Sequence, residues 1–425
     1  MSRNSNIIKK ILQPLEINNL IKQLERVKTF YDEPPIYQYR GFFNFPVKFT
    51  DGETALRSGS IHSGGSSLIS KYDALLKCLV ESVERINLYC FDKKKIIFSS
   101  KNNLKENSLD LRTYITESSI NDAKFGWIKG FNLTKKESCY IPAQLAYLNY
   151  HNTFNYKEKM LSIPISTGAA AGFDHYNVLA RGICEVIERD AFMTCYLIKR
   201  SAPKINLDIL KSPIVKKLKD DFKRYKLMLH LFDITSDLVV PTYLAIITDK
   251  TEVGPVISIG AKTSLIVKDA ILGSICEALV GRIWTRSWMH KKRKLVFQIK
   301  PSAIRTPRDR ALYWSNKKML GKLDFLLKTD NYAVLRDLGL KTPKEQLNCL
   351  VDRINRRGYQ VYYVDLTLDI FKKINCRVYQ TIIPGLQPLY LDERMELIKK
   401  ERLNQTAKYF NVNDYRINNV PHCFL

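Results

Sequence analysis

Three segments of this chain superpose without gaps, and that internal repeat limits the possible folds more than any other feature. In each, a glycine followed by a small residue stands 17 positions before a glutamate: Gly64-Gly65 before Glu81, Gly168-Ala169 before Glu185, and Gly260-Ala261 before Glu277. Six positions before the glutamate lie Leu75, Leu179 and Ile271; two before it, Leu79, Ile183 and Ile275; two after it, Val83, Ile187 and Leu279. Three before it the residues are all small, namely Cys78, Gly182 and Ser274. Agreement in this many columns marks one supersecondary unit used three times. Each unit reads as a glycine-containing strand end or loop that feeds a mostly apolar helix. The small residue would let a neighbouring element pack closely.

The first two units read Glu81-x-x-Glu84-Arg85 and Glu185-x-x-Glu188-Arg189. Spacings of three and four place these side chains on one helical face. An exposed ion-pair ladder is the commonest meaning of such a pattern. It fits poorly here, because the surrounding residues are Val, Ile, Leu and Cys, and carboxylates on so apolar a helix need a compensating cation or proton. Glu81, Glu84, Glu185, Glu188 and Glu277 are therefore candidate ligands of one shared ion. Hard oxygen ligands without His or Cys suit Mg2+, which bridges carboxylates to nucleotide phosphates. Arg85, Arg189 and Arg282 are candidate phosphate partners, and the glycine loops offer backbone N–H groups for the same purpose. No GxxxxGK[ST] loop and no kinase loop occurs, so a nucleotide site here is of another kind.

Around the repeats, strand-like runs (Lys95–Phe98, Val239–Ile247, Gln360–Val364) alternate with helical ones (Ile214–Arg224, Lys344–Arg357). That alternation predicts a mixed α/β domain over residues 36–395, followed by a tail over 396–425. Residues 1–35 carry Ile7, Ile8, Ile11, Leu12, Leu15, Leu20, Ile21 and Leu24, mostly three or four apart, and end at Pro34-Pro35. They predict a helical extension. A chain of 425 residues with 45% hydrophobic and 26% charged residues excludes a disordered, collagen-like or coiled-coil protein.

The 68 Lys and Arg against 42 Asp and Glu leave a net charge of +26. Such a surface is either simply solvated or meets a polyanion. With one dense run, His290–Lys294, and no aromatic-plus-basic stacking motif, nucleic acid is the weakest candidate partner. Nine single cysteines show neither CxxC pairing nor zinc spacing. With no signal-like N-terminus and no apolar run long enough to span a bilayer, a cytoplasmic protein without a membrane segment is expected.

The segments Gly64 to Arg85, Ser166-Thr167-Gly168-Ala169-Ala170-Ala171-Gly172 through Asp190, and Ile259-Gly260 through Glu277 resemble the three signature stretches of the YcaO-domain proteins. The late segment Val378 to Leu386 is similar to that family's PGL strand and turn. The resemblance covers roughly residues 50 to 395. It implies a YcaO-like α/β fold with repeated strand–helix units around a nucleotide site. It also implies an ATP- and Mg2+-dependent enzyme that activates a backbone amide of a precursor peptide. In azoline-forming members, a Cys, Ser or Thr side chain attacks the preceding carbonyl, ATP phosphorylates the amide oxygen, and elimination closes a thiazoline or oxazoline. Relatives form thioamides or amidines with an external nucleophile. Carried over by position, the five glutamates would hold magnesium–ATP. Arg85 and Arg189 would contact phosphate or order the carboxylates, with Gly64, Gly65, Ser67, Thr167 and Gly168 lining the nucleotide.

The sequence departs from the family pattern at defined points. Where that pattern has a loop lysine, this chain has Ser67; where it has Asn, Thr167; where it has Gln, Val280. All the carboxylates survive, so a competent site is expected, with a non-catalytic scaffold as the alternative. The family's proline-rich ending is here Pro421-His422-Cys423-Phe424-Leu425, which keeps azoline formation ahead of thioamide or amidine formation and implies a tail that reaches the site. No ubiquitin-activating-like leader-recognition module is visible in these residues, so a separate partner protein is expected. Residues 1–35 and the basic surface are its candidate contacts, and the resemblance also allows a homodimer.

Overall fold

The computed structural model describes residues 3–45, 61–104, 106–115, 118–150, 158–251, 253–291, 299–335 and 337–425. It opens with helix α1 (Arg3–Ile17), followed by strands β1 (Ile21–Arg26), β2 (Tyr37–Phe43) and β3 (Ile61–Ser67), which form an antiparallel sheet in that order. The helix expected over residues 1–35 thus stops at Ile17. A register shift between Ile21 and Gln23 bulges β1. The bulge offsets its half-buried residues Ile21 and Leu24 by three, a spacing that imitates a helix. β1 pairs with β2, and Ile8, Ile11, Leu15 and Leu20 are buried in the same core as Leu79 and Val83.

Helix α2 (Lys71–Tyr89) starts where the Ser70 hydroxyl accepts a hydrogen bond from the Asp73 amide at 3.1 Å. Strands β4 (Ile97–Ser100), β5 (Lys124–Asn132) and β6 (Glu137–Pro142) follow, then β7 (Ala169–Gly172) and helix α3 (His175–Leu197), capped by Asp174. Helix α4 (Pro213–Arg224) leads to a second three-stranded sheet of β8 (Leu227–Asp233), β9 (Thr242–Asp249) and β10 (Ile257–Thr263), and thence to α5 (Val267–Lys291). Helices α6 (Pro307–Trp314) and α7 (Pro343–Arg356) each begin with a capping box, on Thr306 and Thr342. Strands β11 (Tyr362–Asp365) and β12 (Arg377–Ile382) and helix α8 (Lys400–Tyr409) complete the chain. The large sheet runs β4-β5-β11-β12-β7, with β6 on β5. The expected strands and helices are present within a few residues of their predicted bounds. Val239 is the main exception: it takes a left-handed turn (φ 58°) before β9.

The three repeated units occupy equivalent places. Each glycine-bearing strand, β3, β7 and β10, is the terminal strand of its own sheet, and each feeds its own helix, α2, α3 and α5. The apolar columns of the repeat are the core side of those helices. Leu79, Val83, Ile86, Ile183, Ile187, Ile275 and Leu279 are at most 1% exposed, and each such burial contributes about 1.5–3 kcal/mol. An edge strand keeps outward N–H groups that its sheet does not use. In this fold those groups face the acidic ends of the repeat.

Candidate active site

The spacing of 17 residues is the distance at which strand and helix meet. Gly64 donates its amide to Glu81 Oε2 at 3.4 Å, and Gly168 donates to Glu185 Oε2 at 3.2 Å. The small column explains how the helices come so close. A Cβ at Gly65 would stand 2.2 Å from the Cys78 nitrogen, and one at Gly260 would stand 2.4 Å from the Ser274 oxygen. Gly168 is fixed twice over: its φ is +90°, and a Cβ there would lie 2.1 Å from the Thr381 carbonyl oxygen. The edge amide of Thr263 in β10 donates to Glu188 Oε2 at 2.8 Å.

These contacts draw the acids of separate units together. Arg85 pairs with Glu81 at 3.3 Å and with Glu84 at 3.8 Å. Arg189 pairs with Glu185 at 3.4 Å and with Glu188 at 3.3 Å. Glu188 side-chain exposure is 1%, and that of Glu84 is 12%. Burial pushes the Glu84 carboxyl up to about 8; Glu81 and Glu185 add to the rise and Arg85 opposes it. Burial also raises Glu81, with Glu185 contributing. Glu188 is raised by burial and by the charge of Glu277, against the pull of Lys262. Glu185 acts on Glu81 and Glu84, Glu277 acts on Glu188, and Arg189, raised against burial by Glu188, Glu185 and Glu277 together, joins the two groups into one electrostatic system.

Lys262 belongs to this system and was not among the residues singled out from sequence. Its ammonium lies 3.4 Å from Glu277 and 3.7 Å from Glu188. The signal was present in the repeat: the column two after the first glycine reads Ser66, Ala170, Lys262.

Other expected residues take different places. The Ser67 hydroxyl is buried and accepts from the amides of Ile69 and Ser70, so it shapes the turn into α2. Thr167 accepts from Gln380 Nε2 through its carbonyl at 2.8 Å. It lines a narrow cavity of about 100 Å³ with Val186, Gln380 and the Pro384–Leu386 turn. Val280 packs into the apolar core around α5.

Arg282 does not join the acids, which corrects the expectation. It stands five rather than four positions after Glu277, so it leaves the face that carries Arg85 and Arg189. Its side chain, 3% exposed, is held by Glu33 and Asp249, each at 2.6 Å, and by the Pro255 carbonyl at 3.0 Å. The position four after Glu277 is Gly281, where a Cβ would meet the Leu425 side chain at 3.7 Å. In the basic run at 290–294, residues 292–294 lie outside the described residues.

The carboxyl end is tied down. Tyr196 and Trp314 donate to the Pro421 carbonyl at 3.2 and 2.9 Å, and Arg310 donates to that of His422 at 2.9 Å. The Phe424 ring then lies 4.4 Å from the Arg189 guanidinium, a cation–π contact at the edge of the acidic set.

The donor set fits a magnesium nucleotide. Among the described residues, no three acidic, His or Cys groups are gathered tightly enough to hold an ion unaided. Mg2+ takes one or two carboxylates and completes its shell with phosphate oxygens and water, so it does not need such a cage. Glu188 Oε1, Arg85 Nε, and Arg189 Nε and Nη1 are buried without a hydrogen bond. Glu188 Oε1 and Arg189 Nη1 face each other at 3.3 Å, and Arg85 Nε faces Glu84 at 3.8 Å, without a formed hydrogen bond, which leaves acceptor and donor capacity for a cation that carries an anion.

Three strand–helix units meeting at shared acids define a mixed α/β protein with a polar centre suited to a nucleotide. The model of the YcaO cyclodehydratase family, described as ATP- and Mg2+-binding, matches residues 68–387. The chain belongs to that family. Among solved structures, a heterocyclase in complex with substrate and cofactor is similar at 17% identity and a TM-score of 0.75, covering 97% of this chain. The chain spans 57% of the length of that heterocyclase. YcaO from Methanopyrus kandleri, bound with AMPPCP and Mg2+, is 16% identical, with a TM-score of 0.69 and coverage of 94% of this chain and 95% of that one. The E. coli microcin synthetase McbBCD complex contains a chain 15% identical, with a TM-score of 0.56 and coverage of 85% and 86%. No curated protein sequence matches. No helix among the described residues is long and apolar enough to cross a membrane.

Proposed function

We propose that this chain uses ATP and Mg2+ to activate backbone amides of a ribosomally made peptide, closing Cys, Ser or Thr onto the preceding carbonyl as thiazoline or oxazoline. The observation that carries the reading is the meeting of Glu81, Glu84, Glu185, Glu188 and Glu277 from three helices with buried, unbonded guanidinium N–H groups. Bound magnesium–ATP would supply the phosphoryl group that turns an amide oxygen into a leaving group. The chain's own residues divide the remaining work. The glutamates hold the metal, and the edge amides of Gly64, Gly168 and Thr263 fix the rotamers of the acids they reach. Arg85 and Arg189 offer planar donors to phosphate. Membership of a cyclodehydratase family supports this division.

The substrate and partner follow from the same reading. The precursor peptide would be delivered by a separate leader-recognition protein. The E. coli relative, which occurs as a complex, supports that arrangement, and a charge of +26 suits an acidic partner. Nine free cysteines accord with a reducing cytoplasm. The test is mass spectrometry of a Cys/Ser/Thr-rich cognate peptide after incubation with ATP, Mg2+ and the partner. Loss of one water per modified residue is expected. Exchange of oxygen for sulfur, or no change with every component present, overturns the azoline reading.

A further inference from the structure

The third unit differs from its siblings by a reciprocal exchange. Four residues before the repeat glutamate, α2 and α3 carry cations, Lys77 and Arg181, whereas α5 has Gly273. Two residues after the repeat glycine, the first two units carry Ser66 and Ala170, whereas β10 has Lys262. The helix cations are turned onto their own strands. Lys77 donates to the Ser66 carbonyl at 3.2 Å and Arg181 to the Ala171 carbonyl at 3.1 Å. In the third unit the strand supplies the cation and the helix makes way for it. A Cβ at Gly273 would stand 2.8 Å from Lys262 Cγ and 3.1 Å from its Cδ. Glycine weakens a helix interior, and here it leaves a groove along which the lysine stem lies.

That groove aims the ammonium at two acids of different units, Glu277 at 3.4 Å and the buried Glu188 at 3.7 Å. The lysine side chain remains 40% exposed, so its head is free to leave this position.

We propose that Lys262 is a built-in counter-ion, seated between Glu188 and Glu277 until nucleotide arrives and then transferred to the triphosphate oxygens. The inference rests on the nucleotide-site reading and adds an order of entry to it. A free divalent cation meets an ammonium already held by these acids, and like charges repel. A cation that arrives with a polyphosphate brings the anion that draws the lysine away. The site would therefore take Mg2+ together with ATP and resist Mg2+ alone.

Calorimetry on the full chain tests this with MgCl2 alone and with Mg·ATP as separate probes. Lys262→Met keeps the stem in its groove and removes the charge. It is expected to bind free Mg2+ about tenfold more tightly and Mg·ATP about tenfold more weakly, the scale of one neighbouring charge. Lys262→Arg keeps the charge and should stay close to wild type on both probes. Gly273→Ala crowds the stem without touching the acids and should shift both affinities in the direction of Lys262→Met by a smaller factor. It serves as the probe if the Met variant does not fold. A wild type that binds Mg·ATP, with free-Mg2+ affinity unchanged in Lys262→Met, overturns the role of the lysine alone. A wild type that does not bind Mg·ATP overturns the nucleotide site itself.

Discussion

Arg402 grips Asp190 with two hydrogen bonds, Nε to Oδ1 at 2.8 Å and Nη2 to Oδ2 at 2.6 Å, and neither side chain is exposed. Asp190 directly follows Arg189, so α8 holds the end of the acidic motif from outside the repeat. The same guanidinium binds Asp237 at 2.7 Å, and the Gln387 amide, just past the Pro384–Leu386 turn, donates to Asp190 at 2.8 Å. Four distant stretches of chain thus meet at one buried charge.

Removing that guanidinium leaves two carboxylates buried together. Arg402→Met is expected to destabilise the protein by about 3–5 kcal/mol, the size of a broken buried pair. Urea denaturation measures the loss. A variant within experimental error of wild type would mean that water or another group satisfies both acids.

Arg282 and Arg189 should separate cleanly. Arg282→Met breaks two buried ion pairs, leaving Glu33 to Arg286 and Asp249 to Thr251, and should lower stability by about 3–5 kcal/mol. Well below its melting temperature it should retain wild-type Mg·ATP affinity. Arg189→Met should do the reverse, weakening Mg·ATP binding by about tenfold or more with a smaller change in melting temperature. Calorimetry and thermal melts on both variants give the two-way comparison. Equal loss of nucleotide affinity in both would return Arg282 to the site.

These two arginines also show what the sequence could carry. The columns Gly64/Gly168/Gly260 and Glu81/Glu185/Glu277 were visible because helix and strand packing repeats at fixed spacing, and the small residues Cys78, Gly182 and Ser274 mark the same contacts. Arg282, a candidate phosphate partner by sequence, stands five rather than four residues after its glutamate, and that offset alone turns it to a different face of the helix. β1 was misread because its bulge converts an alternation of two into a spacing of three. The pairing of Arg402 with Asp190 and Asp237 was not legible, since α8 returns across 212 residues to the first and 165 to the second. Lys262 was legible in principle, but a search for shared columns passes over the one place where a column breaks.

The tail gives a third expectation. Phe424 covers Arg189 and Leu425 fills the space beside Gly281. Deleting Phe424 and Leu425 leaves the anchors at Pro421 and His422 intact but removes a buried ring packed on Phe192, so the fold should persist with a loss of about 3–5 kcal/mol. The exposed guanidinium should then release nucleotide faster. Stopped-flow displacement of a fluorescent ATP analogue measures the dissociation rate, and an unchanged rate would confine the tail to a packing role.

Glu84 should make the protein's stability fall as pH rises through neutrality. Its carboxyl titrates at about 8 in the folded chain against an ordinary 4.5, because burial and the charges of Glu81 and Glu185 outweigh Arg85 and Arg181. The unfolded chain releases this proton near pH 4.5, whereas the folded chain holds it until about 8. Between those limits the folded state binds more protons, so stability declines as pH rises. Glu84→Gln removes the buried charge and keeps the shape. In metal-free buffer the variant should match wild type near pH 4.5, gain on it through neutrality, and be more stable by on the order of 4 kcal/mol at pH 8. Adding Mg·ATP at pH 8 should reverse the order, because only the wild type then has a cation to neutralise the carboxylate. Melting curves at several pH values, with and without Mg·ATP, check both halves. A difference between the proteins that stays constant with pH would show that Glu84 is already ionised in the folded chain.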